Sequence, residues 1–175
     1  MPEWTELLQD KGVEIMRGVV AYDSVYGNTK LVAEAIAEQI GSEGHDAELI
    51  ALREEGGEVV AGDFMFVGSP TRIGRMTKNA KRFVEGLDRG HWTSRPIVAF
   101  DTVGPLPDNE EKRKMWLSRI EKSAATRIRE LARQQGLNVY QDVLHVPVTG
   151  FKGPLAPDAL EMAKEFTHRF IASLR

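Results

Sequence analysis

Short apolar runs alternate with amphipathic stretches along most of this chain, a pattern that predicts strands alternating with helices. Gly18-Val19-Val20-Ala21-Tyr22, Ala47–Leu52, Asp63–Gly68, Pro96–Phe100 and Leu137–Val148 read as five strands. The third is apolar throughout and is therefore expected at the centre of the sheet. The fifth is long enough to bend or break at Pro147. Leu31, Val32, Ala35, Ile36 and Ile40 recur at helical spacing, predicting a helix over 29–43 that stops near Gly41 and Gly44. Met76, Ala80, Phe83, Val84 and Leu87 predict another over 76–87. A single long helix is expected from about Glu110 to Gln135, with Gly136 as its stop, and a last one from Pro157-Asp158 onward. Residues 1–16 read as a short leading helix with Trp4, Leu7, Leu8 and Ile15 as contacts, and Glu54 to Gly62 as a polar connection with a short helix.

Strands that alternate with helices pair in parallel and carry helices on both faces, and ligands then bind beyond the carboxyl ends of the strands. Three segments meet there. Asp23-Ser-Val-Tyr-Gly-Asn-Thr29 joins the first strand to the first helix and brings the hydroxyls of Ser24 and Thr29, the amide of Asn28 and Gly27 to a helix start. The first amides of a helix lack partners and that end favours anions, so the segment fits a phosphate; plain N-capping by Asn28 or Thr29 is the alternative. Ser69-Pro-Thr-Arg-Ile-Gly-Arg75 follows the central strand, stiffened by Pro70 and freed at Gly74. Asp101-Thr-Val-Gly-Pro-Leu-Pro-Asp-Asn109 follows the fourth and is too rich in Pro and Gly for a minimal connection. One phosphate with two walls beside it describes a mononucleotide carrying a planar ring.

Composition narrows the chemistry. The 175 residues suit one domain, with 42% hydrophobic and 28% charged side chains as in ordinary globular proteins. No apolar run reaches the roughly 20 residues of a membrane span, and no secretory signal is evident, so a cytoplasmic protein is expected. Without cysteine there is no disulfide, iron–sulfur ligation or thiol catalysis. The histidines at 45, 91, 145 and 168 show no metal spacing, and His91 and His145 are expected to be structural. The net charge of −3 hides an asymmetry: residues 1–63 hold 14 acidic and 4 basic side chains, residues 64–175 hold 12 and 19. Solvated helix faces account for most of the basic excess, and no nucleic-acid signature accompanies it. The first turn is neither G-x-G-x-x-G nor G-x-x-x-x-G-K-[ST], which disfavours dinucleotide binding and nucleoside triphosphate hydrolysis. A phosphoacceptor receiver domain is disfavoured because Gly68-Ser69, not Asp, ends the third strand.

Ser24-Val25-Tyr26-Gly27-Asn28-Thr29 resembles the phosphate loop of flavodoxins, and the order of elements resembles that family over about residues 17–174. Gly68-Ser-Pro-Thr-Arg-Ile-Gly74 is similar to the Pro-Thr-Arg-aromatic-Gly loop of flavodoxin-like NAD(P)H:quinone oxidoreductases. Gly150-Phe-Lys-Gly-Pro-Leu155 is similar to flavodoxin domains of archaeal and flavodiiron type. The resemblance implies a flavodoxin-like three-layer sandwich, its five parallel strands in the order 2-1-3-4-5, over residues 17–175 with 1–16 as an extension. It implies FMN as cofactor. Ser24, Gly27, Asn28 and Thr29 would hold the phosphate, with Val25 and Tyr26 giving backbone N–H groups. The ring would lie between Pro70, Thr71, Arg72, Ile73 and Gly74 on one side and Asp101, Thr102, Val103 and Gly104 on the other.

The implied function is electron transfer, the flavin cycling between oxidised, semiquinone and reduced states, with no catalytic side chain. The alternatives are an NAD(P)H-dependent quinone or flavin-linked oxidoreductase and a flavin-free anion-binding module. Two departures from the family bear on this. Arg72 or Ile73 stands near the position of a ring-stacking Trp, and no aromatic occurs between Asp101 and Lys114, which predicts a less extreme low-potential couple. Trp116 reads as a helix-packing residue, with folding back over the ring as the alternative. Arg72, Arg75, Lys78, Lys81 and Arg82 give a basic rim, which fits an acidic redox partner protein, a quinone-like anion or NAD(P)H.

Overall fold

The computed structural model describes residues 14–54 and 61–175. Most of the leading helix expected over 1–16, and the middle of the 54–62 connection, lie outside the described residues. Ile15, expected to pack, is exposed.

Strand alternation builds the two cores. In β1 (Arg17–Tyr22), Val19 and Ala21 face one side of the sheet while Val20 and Tyr22 face the other. The remaining strands are β2 (Asp46–Ala51), β3 (Phe64–Pro70), β4 (Ile97–Val103) and β5 (Leu144–Pro147). They pair in parallel in the order β2-β1-β3-β4-β5, the topology implied by the resemblance. On one face α1 (Asn28–Ser42) and α6 (Ala159–Ser173), which contributes Phe170, close over Phe64, Phe66 and Phe100 of the sheet. Phe66 and Phe170 meet edge-on at 5.3 Å. On the other, α2 (Lys78–Glu85), α3 (Arg89–Trp92) and α5 (Ala124–Gln134) cover Met65, Val67 and Ile97. Gly68 sits opposite Phe100 in the β3–β4 register, and a Cβ there would run into the Phe100 ring.

Four expectations are corrected. The long helix over 110–135 is two helices: α4 (Glu110–Ile120) ends, and α5 begins after Ser123. The break comes from distant acceptors. Thr71 Oγ1 takes the Ala124 amide at 3.0 Å and Asp101 Oδ2 takes the Ala125 amide at 2.8 Å, fixing a new helix start against the sheet edge. β4 runs three residues past Phe100, so Asp101, Thr102 and Val103 belong to a strand and the loop starts at Gly104. β5 is confined to 144–147, with Val139 making only an isolated bridge to Ile97. β3 likewise continues through Ser69 and Pro70.

Candidate functional site

At the carboxyl end of β1 the chain folds into a nest of amides. Gly27 precedes α1 at φ +96°, a left-handed conformation that glycine adopts without strain. Ser24 Oγ accepts from the amides of Gly27 (3.1 Å) and Lys30 (3.3 Å). Gly27, the N-cap residue, has no side chain to cap α1; Ser24 serves only Lys30 of the first turn, and the amides of Val25, Tyr26, Asn28 and Thr29 have no acceptor among the described residues. Four orphan donors at a helix N-terminus form an anion site. Neighbouring Asp23 would oppose an anion, but its buried carboxylate is turned onto Arg53 (3.1 Å), Asn79 (3.3 Å) and the Ser24 amide. N-capping by Asn28 or Thr29 does not occur. The Asn28 side-chain amide donates to Lys152 O at 3.0 Å, and the buried Thr29 hydroxyl pairs with Thr102 Oγ1 at 3.0 Å.

The first wall is a tight hairpin after β3. Arg72 and Arg75 exchange two backbone hydrogen bonds, of 2.9 and 3.0 Å, leaving Ile73 (φ 50°) and Gly74 (φ 67°) as the central pair. Positive φ at both central residues is the mark of a type I′ turn. Gly74 suits it, whereas a β-branched Ile73 is strained by about 1–3 kcal/mol and is fully exposed. The hairpin is anchored below by Thr71, whose hydroxyl donates to Asp101 Oδ2 at 3.2 Å.

Asp101 is fully buried and also accepts from His145 Nδ1 at 2.9 Å. Ser123 Oγ lies 3.3 Å from the same nitrogen. A Ser–His–Asp relay needs the two ring nitrogens on different partners, so this cluster does not have the geometry of one. His91 lies apart from this cluster, its Nε2 2.8 Å from Gly62 O.

The second wall, Thr102 to Pro105, is held from above. Trp116 Nε1 donates to Gly104 O at 3.1 Å and Arg113 Nε to Pro107 O at 2.7 Å. Trp116 is thus no core residue: α4 buries none of its side chains, and the indole folds back onto the loop.

A third wall was not assigned from sequence. Val148, Gly150 and Phe151 line the cleft beside the nest. Phe151, 80% exposed, lies 5.8 Å from the Tyr26 ring, and the Arg72 guanidinium lies 5.6 Å from that ring's centroid. Gly153, at φ +95°, lies so close to Asn28 that a Cβ would strike its side chain. The signal was available: the segment leaves the carboxyl end of β5, next to β4, where such sheets bind ligands.

These walls enclose about 420 Å³, and Ser24, Val25, Tyr26, Asn28 and Thr29 line the space together with Pro70 to Ile73 and Thr102 to Gly104. Gly27 shapes the nest without lining it, Gly74 faces a neighbouring cavity, and Asp101 is turned inward to the Thr71–His145 cluster. The neighbouring cavity, about 970 Å³, lies under α4 and shares Thr71, Ile73, Val103, Gly104 and Pro105 with the first.

A doubly wound parallel sheet with an anion nest after its first strand defines the class. Residues 19–146 match the family model described as a flavodoxin domain, and the chain belongs to that family. A flavodoxin from the domain Archaea is 23% identical, with a TM-score of 0.65 over 90% of this chain and 98% of that one. Oxidised Flavodoxin 1 from Bacillus cereus is 18% identical, with a TM-score of 0.67 over 91% of this chain and 99% of that one. Rubredoxin oxygen:oxidoreductase from Desulfovibrio gigas is 18% identical, with a TM-score of 0.60 over 90% of this chain but 36% of that larger one. No curated protein sequence matches the chain. Among the described residues, no helix is long and apolar enough to cross a membrane.

Proposed function

We propose that this protein binds FMN through residues 17–175 and serves as an electron carrier. The carrying observation is the set of four acceptor-free amides at Val25, Tyr26, Asn28 and Thr29, opening onto a cleft between the ends of β3 and β4. Bound FMN would supply one- and two-electron chemistry that no side chain here provides.

The chain's own part is to bind, orient and exclude water. The nest takes the phosphate dianion, and Thr29 donates to it while accepting from Thr102. Backbone groups from Thr71 to Gly74 and from Thr102 to Gly104 address the polar edge of the ring. Ile73, near the position of the ring-stacking Trp, supplies apolar contact, and Tyr26 and Phe151 add more from the nest and the third wall. The absorption spectrum of FMN-reconstituted protein tests this: bound flavin is expected to survive gel filtration, with its fluorescence changed. Flat absorbance in the near ultraviolet and blue, unchanged on titration, would leave a flavin-free anion-binding module.

One observation favours a second reading, an NAD(P)H:quinone-type oxidoreductase. Arg72 lines the cleft and Arg75, Lys78 and Arg82 follow it within ten positions of the chain, and none has a carboxylate within 4.0 Å among the described residues. Such a rim suits the phosphates of NAD(P)H as well as an acidic redox partner. Steady-state NAD(P)H oxidation with a quinone acceptor separates the two, since a pure carrier shows none.

A further inference from the structure

We propose that the cavity under α4 is a binding site for a planar aromatic acid, a flat apolar molecule bearing one anionic group, distinct from the phosphate nest. Its volume of about 970 Å³ lies within the range of small-molecule sites, roughly 300–1,000 Å³. The lining divides by chemistry. Val103, Pro105, Met115, Trp116 and Ile120 give an apolar interior. Lys112, Arg119, Lys122 and Arg127 supply four cations, and no acidic residue lines the space.

None of those cations has a carboxylate within 4.0 Å among the described residues, although Lys81, Arg133 and Lys164 elsewhere on the surface do. Arg127 spends its Nε on Gly74 O (2.6 Å) and Lys122 O (2.8 Å), which ties the cavity rim to the hairpin and leaves its terminal nitrogens without a protein acceptor. Glu110 and Glu111 occupy the first turn of α4 but do not reach the lining.

Helix α4 itself is the second observation. It buries no residue, and Met115 is 58% exposed although it lines the cavity. The α4 residues that line the cavity are Met115, Trp116 and Ile120 together with Lys112 and Arg119, and Lys122 and Arg127 beyond the helix add two more unpaired cations, a lining complementary to a guest apolar in body and negative at an edge. Trp116 is already immobilised by its bond to Gly104 O, so a flat ring can stack on it at little entropic cost, and guanidinium groups favour the same stack. The five residues shared with the smaller cleft would place such a guest beside the flavin. That adjacency rests on the FMN reading; the cavity's own chemistry does not.

The test is calorimetric titration of anthraquinone-2-sulfonate into the full-length protein, with and without saturating FMN, alongside Trp fluorescence. We expect one site in both forms, with quenching that is lost in Trp116→Phe. Lys112→Ala/Arg119→Ala, changing two exposed positions, is expected to weaken binding roughly tenfold or more. Uncharged 2-(hydroxymethyl)anthraquinone is expected to bind more weakly to the unaltered protein. Displacement of the sulfonate by FMN would overturn the proposal by making the cavity part of the flavin site. Equal affinity for the neutral analogue, or indifference to the double substitution, would overturn it too. Failure of FMN to bind, with sulfonate binding intact and charge-dependent, would sink the FMN reading and leave this one standing.

Discussion

The hydroxyl oxygens of Thr29 and Thr102 lie 3.0 Å apart in a buried setting, joining the first turn of α1 to the carboxyl end of β4. One hydrogen bond thereby couples the amide nest to the second wall of the cleft. A hydroxyl can donate once and accept as well, so Thr102 can donate to Thr29 while Thr29 donates to a phosphate oxygen.

On the proposed FMN reading, Thr29→Ala would remove a hydrogen bond to a charged group and leave the Thr102 hydroxyl without its Thr29 partner. The loss is about 1.5–3 kcal/mol, or roughly tenfold or more in FMN affinity. Thr29→Ser retains most of the affinity. Fluorescence titration with FMN measures both, and an unchanged alanine variant would put the phosphate elsewhere.

Asp101 gathers Thr71 Oγ1, the Ala125 amide and His145 Nδ1 on one buried carboxylate. Asp101→Ala orphans all three donors at once. We expect a stability loss on the order of 3 kcal/mol in denaturant unfolding, together with weaker FMN binding, since Thr71 anchors the hairpin. A variant as stable as the parent would mean that water replaces the carboxylate.

Ile73 occupies a position that a type I′ turn reserves for Asn, Asp or Gly. Ile73→Asn is expected to stabilise the FMN-free protein by about 1 kcal/mol, a rise in Tm of roughly 2–4 °C for a chain of this size. FMN affinity should fall, because on the proposed reading the exposed isoleucine would be an apolar contact for the ring. Loss of stability without loss of affinity would contradict both parts.

Phe151 is the reverse case, exposed and unstrained. Phe151→Ala should leave unfolding within about 0.5 kcal/mol of the parent while lowering FMN affinity and raising solvent quenching of bound flavin. If flavin binding is untouched, the 148–155 wall plays no part in holding the ring.

The element order was legible because apolar spacing reports period locally: Val19 to Tyr22 need only their own alternation to be assigned as a buried strand. The turn that becomes the amide nest was legible for a related reason, since Ser24 to Thr29 carry small polar groups where a strand gives way to a helix. The break between α4 and α5 was not. Leu117, Ile120, Ala124, Ile128 and Leu131 keep helical spacing straight through it. The interruption is imposed by Thr71 and Asp101, which lie 53 and 24 positions from the amides they capture. Asp101-Thr-Val103 likewise reads as polar loop, yet it is strand because Ser69 and Pro70 stand beside it in register.

The chain's own periodicity and turn residues determined the five parallel strands, their helices and the end of the sheet where a ligand would sit. These depend on neighbours within a few positions. Tertiary structure alone decided that Asp23 and Asp101 turn away from the cleft, that Phe151 and Tyr26 meet across it, and that α4 stands off the core above a cationic cavity. Each of those depends on which distant donor or ring arrives within hydrogen-bonding or packing distance, and local spacing carries no record of that.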